Sequence, residues 1–186
     1  METLVQRRPA VRAIAIAVAA LAIEWSRAAV SMQPGLAIGA LVVGGAALLV
    51  TTWGYRPADI GLGTSRLPFR ILGGVALGAV LLLPAAARTA AVPHLPASLA
   101  LAAVVVSIGE EVAFRGALYT ALDEFGGAPL AVVGSTIAWT AAHVLSHPPE
   151  FLGAVAAAGF LLALWRWACR DVVAPIAGHV IADLAL

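Results

Sequence analysis

Residues 97–122 read ASLALAAVVVSIGEEVAFRGALYTAL, an apolar run that carries two adjacent carboxylates and a guanidinium near its middle. A spanning helix needs roughly 20 mostly apolar residues. A charge at the centre of such a helix costs a few kcal/mol or more, unless it meets a partner or a wet cavity. The run therefore reads as a membrane span in which Glu110, Glu111 and Arg115 have something to face.

The pattern repeats on both sides. Apolar runs bounded by Pro, Gly or Arg predict spans near Ala13–Ser31, Gly35–Trp53, Phe69–Ala87, Ala97–Leu122, Ala128–Ser146, Phe151–Ala168 and Val172–Leu186. The period-2 alternation of barrel strands is absent, and backbone groups in lipid must be satisfied internally, so the spans are helices. The expected fold is all-α: one transmembrane domain over residues 1–186 with about seven helices. Its motif-bearing core covers about 97–186, with the candidate site among helices four, five and seven. Composition agrees, with 62% hydrophobic and 11% charged residues against about 25% charged in soluble domains. The lipid bilayer is the expected surrounding. A net charge of +1 with scattered basic residues argues against a nucleic-acid partner.

The run Ala13–Ile23 follows Arg7, Arg8 and Arg12 as a signal peptide would, but the later spans make it a retained first helix. With seven spans, Arg7, Arg8, Arg12, Arg56, Arg66, Arg70, Arg166 and Arg170 fall on one side and Arg88 on the other. The positive-inside rule then puts the N-terminus in the cytoplasm of a plasma (inner) membrane. Trp53, Tyr55, Tyr119, Trp165 and Trp167 read as interface anchors, and Gly54–Pro68 as a turn-rich surface loop. The single cysteine, Cys169, has no partner for a disulfide or a thiolate metal site and reads as a buried packing residue.

Polar residues inside the spans carry the chemistry. Glu111 and Arg115 stand at i and i+4 in the favourable order. Glu110 points about 100° away from Glu111, which leaves it without that partner. An unpaired carboxylate in a low-dielectric site is a better proton acceptor near neutral pH than a solvated one, so Glu110 is the candidate general base. The same three residues also fit a buried network that only fixes helix packing. Trp139 and His143, and likewise His179 and Asp183, lie one turn apart on single faces, and Asp183 is placed to orient His179 and fix its tautomer.

The remaining polar residues receive plainer readings. Glu24 and Arg27 pair at i and i+3, and His147, before Pro148, lines the site entrance from a turn. His94 is a loop residue, Asp123 and Glu124 are solvated, and Ser107 and Ser146 are packing or helix-end residues. Starting the fourth span at Ala97 and the fifth at Ala128 puts Glu110 and His143 at depths that differ by about 10 Å. That mismatch calls for tilt or an irregularity, for which Gly109 is the expected place.

These motifs, Glu110-Glu111-x-x-x-Arg115, Trp139-x-x-x-His143 and His179-x-x-x-Asp183, resemble in order those of the CPBP family of CAAX proteases and bacteriocin-processing enzymes, which includes the type II CAAX prenyl endopeptidases. The resemblance runs from Ser107 to the C-terminus, with a weak further likeness at Gly61-Leu62. It implies an intramembrane endopeptidase acting on membrane-proximal or C-terminal segments of protein substrates. Glu110 and His143 would activate a water, His179 and Asp183 would face the developing oxyanion, and Glu111, Arg115 and Trp139 would support the site.

Two departures stand out: Trp139 where Phe is commoner, and Asp183 where many members have Asn. An aspartate facing negative charge has to be protonated or act through His179. Glu110, His143 and His179 could also hold a Zn²⁺ with an open position for water, but the resemblance favours a mechanism without a cofactor. Two further readings stay open, a non-catalytic scaffold or immunity protein on the same fold and a small proton-coupled transporter, although paired halves with broken helices are not seen.

Overall fold

The computed structural model describes residues 8–33, 35–86 and 95–185, and the readings placed on Arg7, Ala87, Arg88, His94 and Leu186 lie outside them. The described residues form helices and connecting turns. Helix α1 (Pro9–Ser31) opens on a proline, where a missing N–H costs nothing. It is followed by α2 (Ala37–Ala47), which tightens into a 3-10 turn at Leu48–Thr52, and by α3 (Leu67–Ala86). Helix α4 (Ala97–Glu110) runs through a π-helical stretch (Glu111–Leu118) into α5 (Tyr119–Ala142). A 3-10 turn at Pro149–Phe151, α6 (Leu152–Cys169) and α7 (Val173–Ala185) complete the chain.

Three of these stretches are long and apolar enough to cross a membrane: Pro9–Ser31, Ala97–Ala142 and Pro149–Cys169. Ala37–Thr52, Leu67–Leu83 and Val173–Ala185 are apolar but shorter. The all-helical class agrees with the expectation, while helix length marks three spans where the sequence suggests about seven.

The 46-residue run Ala97–Ala142 would measure about 69 Å as a straight helix. It breaks at Gly127, whose φ of 80° and ψ of 175° lie outside the helical region and suit glycine. Pro129 then opens the second limb. The limbs fold back on each other, because the Trp139 indole N–H donates to the Glu110 carboxylate at 2.8 Å across 29 residues. Glu110 lies 17 residues before Gly127 and His143 lies 16 after it, so both return to nearly the same level. The expected mismatch in depth came from counting each span from its start at Ala97 and Ala128; the helix continues past Asp123 and Glu124, which are exposed as expected, and reverses at Gly127. The irregularity starts at Glu111, one residue beyond Glu110, and not at Gly109.

Small residues set the helix spacing. A Cβ on Gly109 would overlap the Gly45 carbonyl oxygen, and one on Gly45 would come within 2.9 Å of the Val106 Cα, so α2 and α4 cross nearly backbone to backbone. Gly74 and Gly78 of α3 meet Ala177 and Ile181 of α7 in the same way. Packing of this kind drives helix association where lipid removes the hydrophobic incentive. Gly109→Ala must push α2 and α4 apart beside Glu110, at a cost of about 1–3 kcal/mol. A thermal melt in detergent is expected to show a clear loss for Gly109→Ala and little change for Gly39→Ala, where a Cβ meets open space.

Several expectations are corrected. The loop over 54–66 is turn-rich, but Ile60 and Gly61 are buried, and the Gly61 carbonyl accepts the Val172 N–H at 3.1 Å. Trp53 and Trp167 are exposed as anchors must be, whereas Tyr119 is buried beneath Arg166 and Trp165 packs against Gly73 of α3. Arg166 is itself buried: its Nε donates to the Arg115 carbonyl at 3.1 Å and its guanidinium reaches the Asp59 carbonyl at 3.2 Å. It thereby satisfies a carbonyl within the π stretch. Cys169 is exposed, since it is the last residue of α6 and α6 buries its other face.

Candidate active site

The junction of α4 and the π stretch sends its two adjacent carboxylates to different neighbours. Glu111 turns toward α7, where its Oε1 accepts from Arg115 at 2.9 Å and from the His179 Nδ1 at 3.0 Å. Glu110 turns toward α5 and α1. Its Oε2 accepts the Trp139 indole N–H at 2.8 Å, and its Oε1 accepts from Arg27 at 2.9 Å. The separation expected of neighbouring helical residues holds. The expectation that Glu110 lacks a cationic partner does not, because α1 supplies one.

His143 caps the second limb of the hairpin. Its Nδ1 lies 2.8 Å from the Trp139 carbonyl, so Nδ1 carries the hydrogen and the other ring nitrogen is free in the neutral imidazole. That nitrogen, Nε2, faces the Glu110 Oε2 at 3.7 Å. The gap is too long for a direct hydrogen bond and suits one water touching both groups. Trp139 forms the wall between the histidines, its ring centroid 4.6 Å from His143 and 5.7 Å from His179. The Arg115 guanidinium sits 4.2 Å from its face, a cation–π contact. Gly159 makes room for the indole, since a Cβ there would stand 2.5 Å from the ring.

On α7, Asp183 is the most exposed member of the cluster, with its Oδ2 3.5 Å from the His179 Nε2. Glu111, which holds Nδ1, sets the His179 tautomer, a role expected of Asp183. Ser107, read as a packing residue, contacts both the Ala103 carbonyl and the Asp183 carboxyl at 2.8 Å. His147 occupies the turn after α5, its ring 5.0 Å from His143 and stacked on Phe151. Burial first, and then the neighbouring His143, hold its imidazolium below the ordinary range.

All seven residues singled out from the sequence thus meet in one cluster. Two members were missed. Glu24 and Arg27 of α1 form the expected ion pair, but the same Arg27 nitrogen also reaches Glu110, 83 residues away. Their local spacing gave no sign of that reach. Trp25 adds a second tie from α1, donating to the Ala141 carbonyl at 3.0 Å.

Three carboxylates (Glu24, Glu110, Glu111) share two guanidinium groups (Arg27, Arg115), and a fourth, Asp183, lies beside His179. Local neutrality therefore takes two more protons, divided among carboxylates and imidazoles. An arrangement of this kind is equipped for proton transfer. Glu110 is engaged by Arg27 and Trp139, and among the described residues no three His, Cys, Asp or Glu side chains are grouped as metal ligands would be.

No curated protein and no solved structure matches the chain. Residues 92–185, half of the chain and all three motifs, match the family described as type II CAAX prenyl endopeptidase Rce1-like. With the apolar helices and the clustered motif residues, this match makes the chain an integral membrane protein that belongs to the Rce1-like type II CAAX prenyl endopeptidase family of peptidases.

Proposed function

We propose that the protein is an intramembrane endopeptidase in which Glu110 and His143 activate a water against a peptide carbonyl in a membrane-proximal or C-terminal segment of a protein substrate. The observation that carries this reading is the 3.7 Å gap between the Glu110 Oε2 and the His143 Nε2, with the other His143 nitrogen tied to a carbonyl. A water there can give a proton to Glu110 as its oxygen bonds to the substrate carbon and the carbonyl electrons move onto oxygen. The proton then passes to the leaving amine as the C–N bond breaks.

His179 and Asp183 supply the oxyanion side. The His179 Nδ1 hydrogen goes to Glu111, so donation from Nε2 requires the imidazolium. The Ser107 hydroxyl has one hydrogen and two acceptors at 2.8 Å. A protonated Asp183 removes that conflict by donating to Ser107, and in that state it does not repel an oxyanion. Glu111, Arg115 and Trp139 hold these groups in place. The reading needs no resident metal, which is supported by Arg27 and Arg115 standing where cations would otherwise bind the carboxylates.

The proposal extends to about seven membrane-embedded helices, with the N-terminus on the cytoplasmic side of the plasma membrane. Arg8, Arg56 and Arg66, all exposed and flanking the first three helices, support that orientation; buried Arg166 no longer contributes.

The test is cleavage by the purified full chain of farnesylated peptides ending in a CAAX-type tail, alongside unmodified membrane-proximal peptides. Wild type is expected to cleave equally well with and without a chelator, and His143→Ala to lower kcat by about 100-fold or more. Chelator sensitivity would restore the metal, and an unaffected His143→Ala would remove His143 from the mechanism.

A further inference from the structure

We infer that Arg27, held by Glu24, is a positioning residue for Glu110, so that helix α1, which lies outside the stretch matched to the family, is part of the catalytic apparatus. This rests on the peptidase reading above. The Glu110 carboxylate is held on both sides: Arg27 takes Oε1 at 2.9 Å, and Trp139 takes Oε2 at 2.8 Å. With Oε1 anchored to α1, the carboxylate plane cannot swing, and Oε2 stays aimed at the His143 Nε2.

The contact is buried and built. The Arg27 side chain is 10% exposed and those of Glu24 and Glu110 are 1% and 2% exposed. Gly44 of α2 leaves the space that the arginine stem fills, since a Cβ there would fall 2.7–2.9 Å from three of its carbons.

Glu24 gives the arrangement its second function. One guanidinium nitrogen of Arg27 donates to both Glu24 and Glu110, so its charge is divided between two carboxylates. A full positive charge committed to Glu110 alone would orient the carboxylate but oppose its taking a proton. Sharing with Glu24 keeps the orientation and leaves Glu110 the negative charge that a proton acceptor needs. Arg27 meets Glu110 at Oε1, whereas the gap to His143 lies at Oε2, and Glu24 meets Arg27, so both act through Glu110.

The experiment measures kcat and KM for farnesylated CAAX-type peptides and unmodified membrane-proximal peptides with the full chain, taking a thermal melt of every variant. Arg27→Met is expected to lower kcat by about 10–100-fold, with KM within about threefold. Arg27→Lys, which keeps the charge, is expected to recover a large part of that loss. Gly44→Ala removes no charge and displaces the arginine; it is expected to lower kcat by about tenfold and reads the same contact if Arg27→Met does not fold. Glu24→Gln is expected to lower kcat while the melt stays close to wild type.

Glu110→Gln is the control that separates the two ideas. If wild type does not cleave, or Glu110→Gln cleaves as well as wild type, the peptidase reading fails and the inference goes with it. If Glu110→Gln is inactive but Arg27→Met, or Gly44→Ala in its place, keeps the wild-type kcat, the inference alone is overturned. A loss that appears only in KM, or only in the melt, also overturns it, because those are the marks of a binding or purely structural contact.

Discussion

Glu110→Gln is expected to lower peptide cleavage by about 10²–10⁴-fold, the usual contribution of a positioned general base, while leaving the protein folded. The amide has nearly the same shape as the carboxylate but cannot take up the water proton. It also has a single acceptor oxygen, whereas Glu110 accepts from Arg27 on one side and Trp139 on the other. One of those hydrogen bonds must be lost, at about 1 kcal/mol for a neutral partner and somewhat more for the guanidinium. The variant is therefore expected to melt slightly below wild type while losing nearly all turnover. Initial rates on the peptides above, with a melt of the same preparation, separate the two effects. Turnover within a factor of a few of wild type would rule out Glu110 as the base.

Arg115→Met is expected to be the most destabilising single change at the site, by about 3–5 kcal/mol, because it leaves a buried carboxylate without its cation. Arg115 and Glu111 are both fully buried and joined at 2.9 Å, and the guanidinium also lies on the Trp139 face. After the change, His179 is, among the described residues, the group left in contact with Glu111 that can carry positive charge, so Glu111 and His179 would have to settle on a shared proton. The double variant Glu111→Gln with Arg115→Met removes both charges and should recover much of the loss. Equilibrium unfolding in mixed detergent measures both. If the single variant costs less than about 1 kcal/mol, the pair does not bear the load that its burial implies.

The sequence was most informative where lipid is the solvent. An ionisable residue in an apolar span is expensive enough to need a partner, so Glu110, Glu111, Arg115, His143, His179 and Asp183 stood out, and the structure brings all of them together. Trp139 was found by its one-turn spacing to His143, but its use as a hydrogen-bond donor to Glu110 depends on the hairpin at Gly127. A phenylalanine at that position could not make this bond. The depth mismatch between Glu110 and His143 shows the usual weakness of sequence reading: Asp123, Glu124 and the glycines mark that the chain turns, but only the backbone angles at Gly127 mark the residue at which the helix reverses.

Taken alone, the sequence determined the helical class, the membrane setting and the identity of the ionisable residues in three of the helices. Each of these follows from local composition, or from spacing within one helical turn. Which residues pair across helices was decided only by the tertiary structure. Glu24 and Arg27 satisfy each other at i and i+3, so nothing local required a third partner. Arg27 reaches Glu110 because Gly44 leaves room for its stem and because Gly45 and Gly109 let α2 and α4 cross backbone to backbone. Contacts of that kind depend on how close two backbones can come, a property of the packed bundle that no single stretch of chain contains.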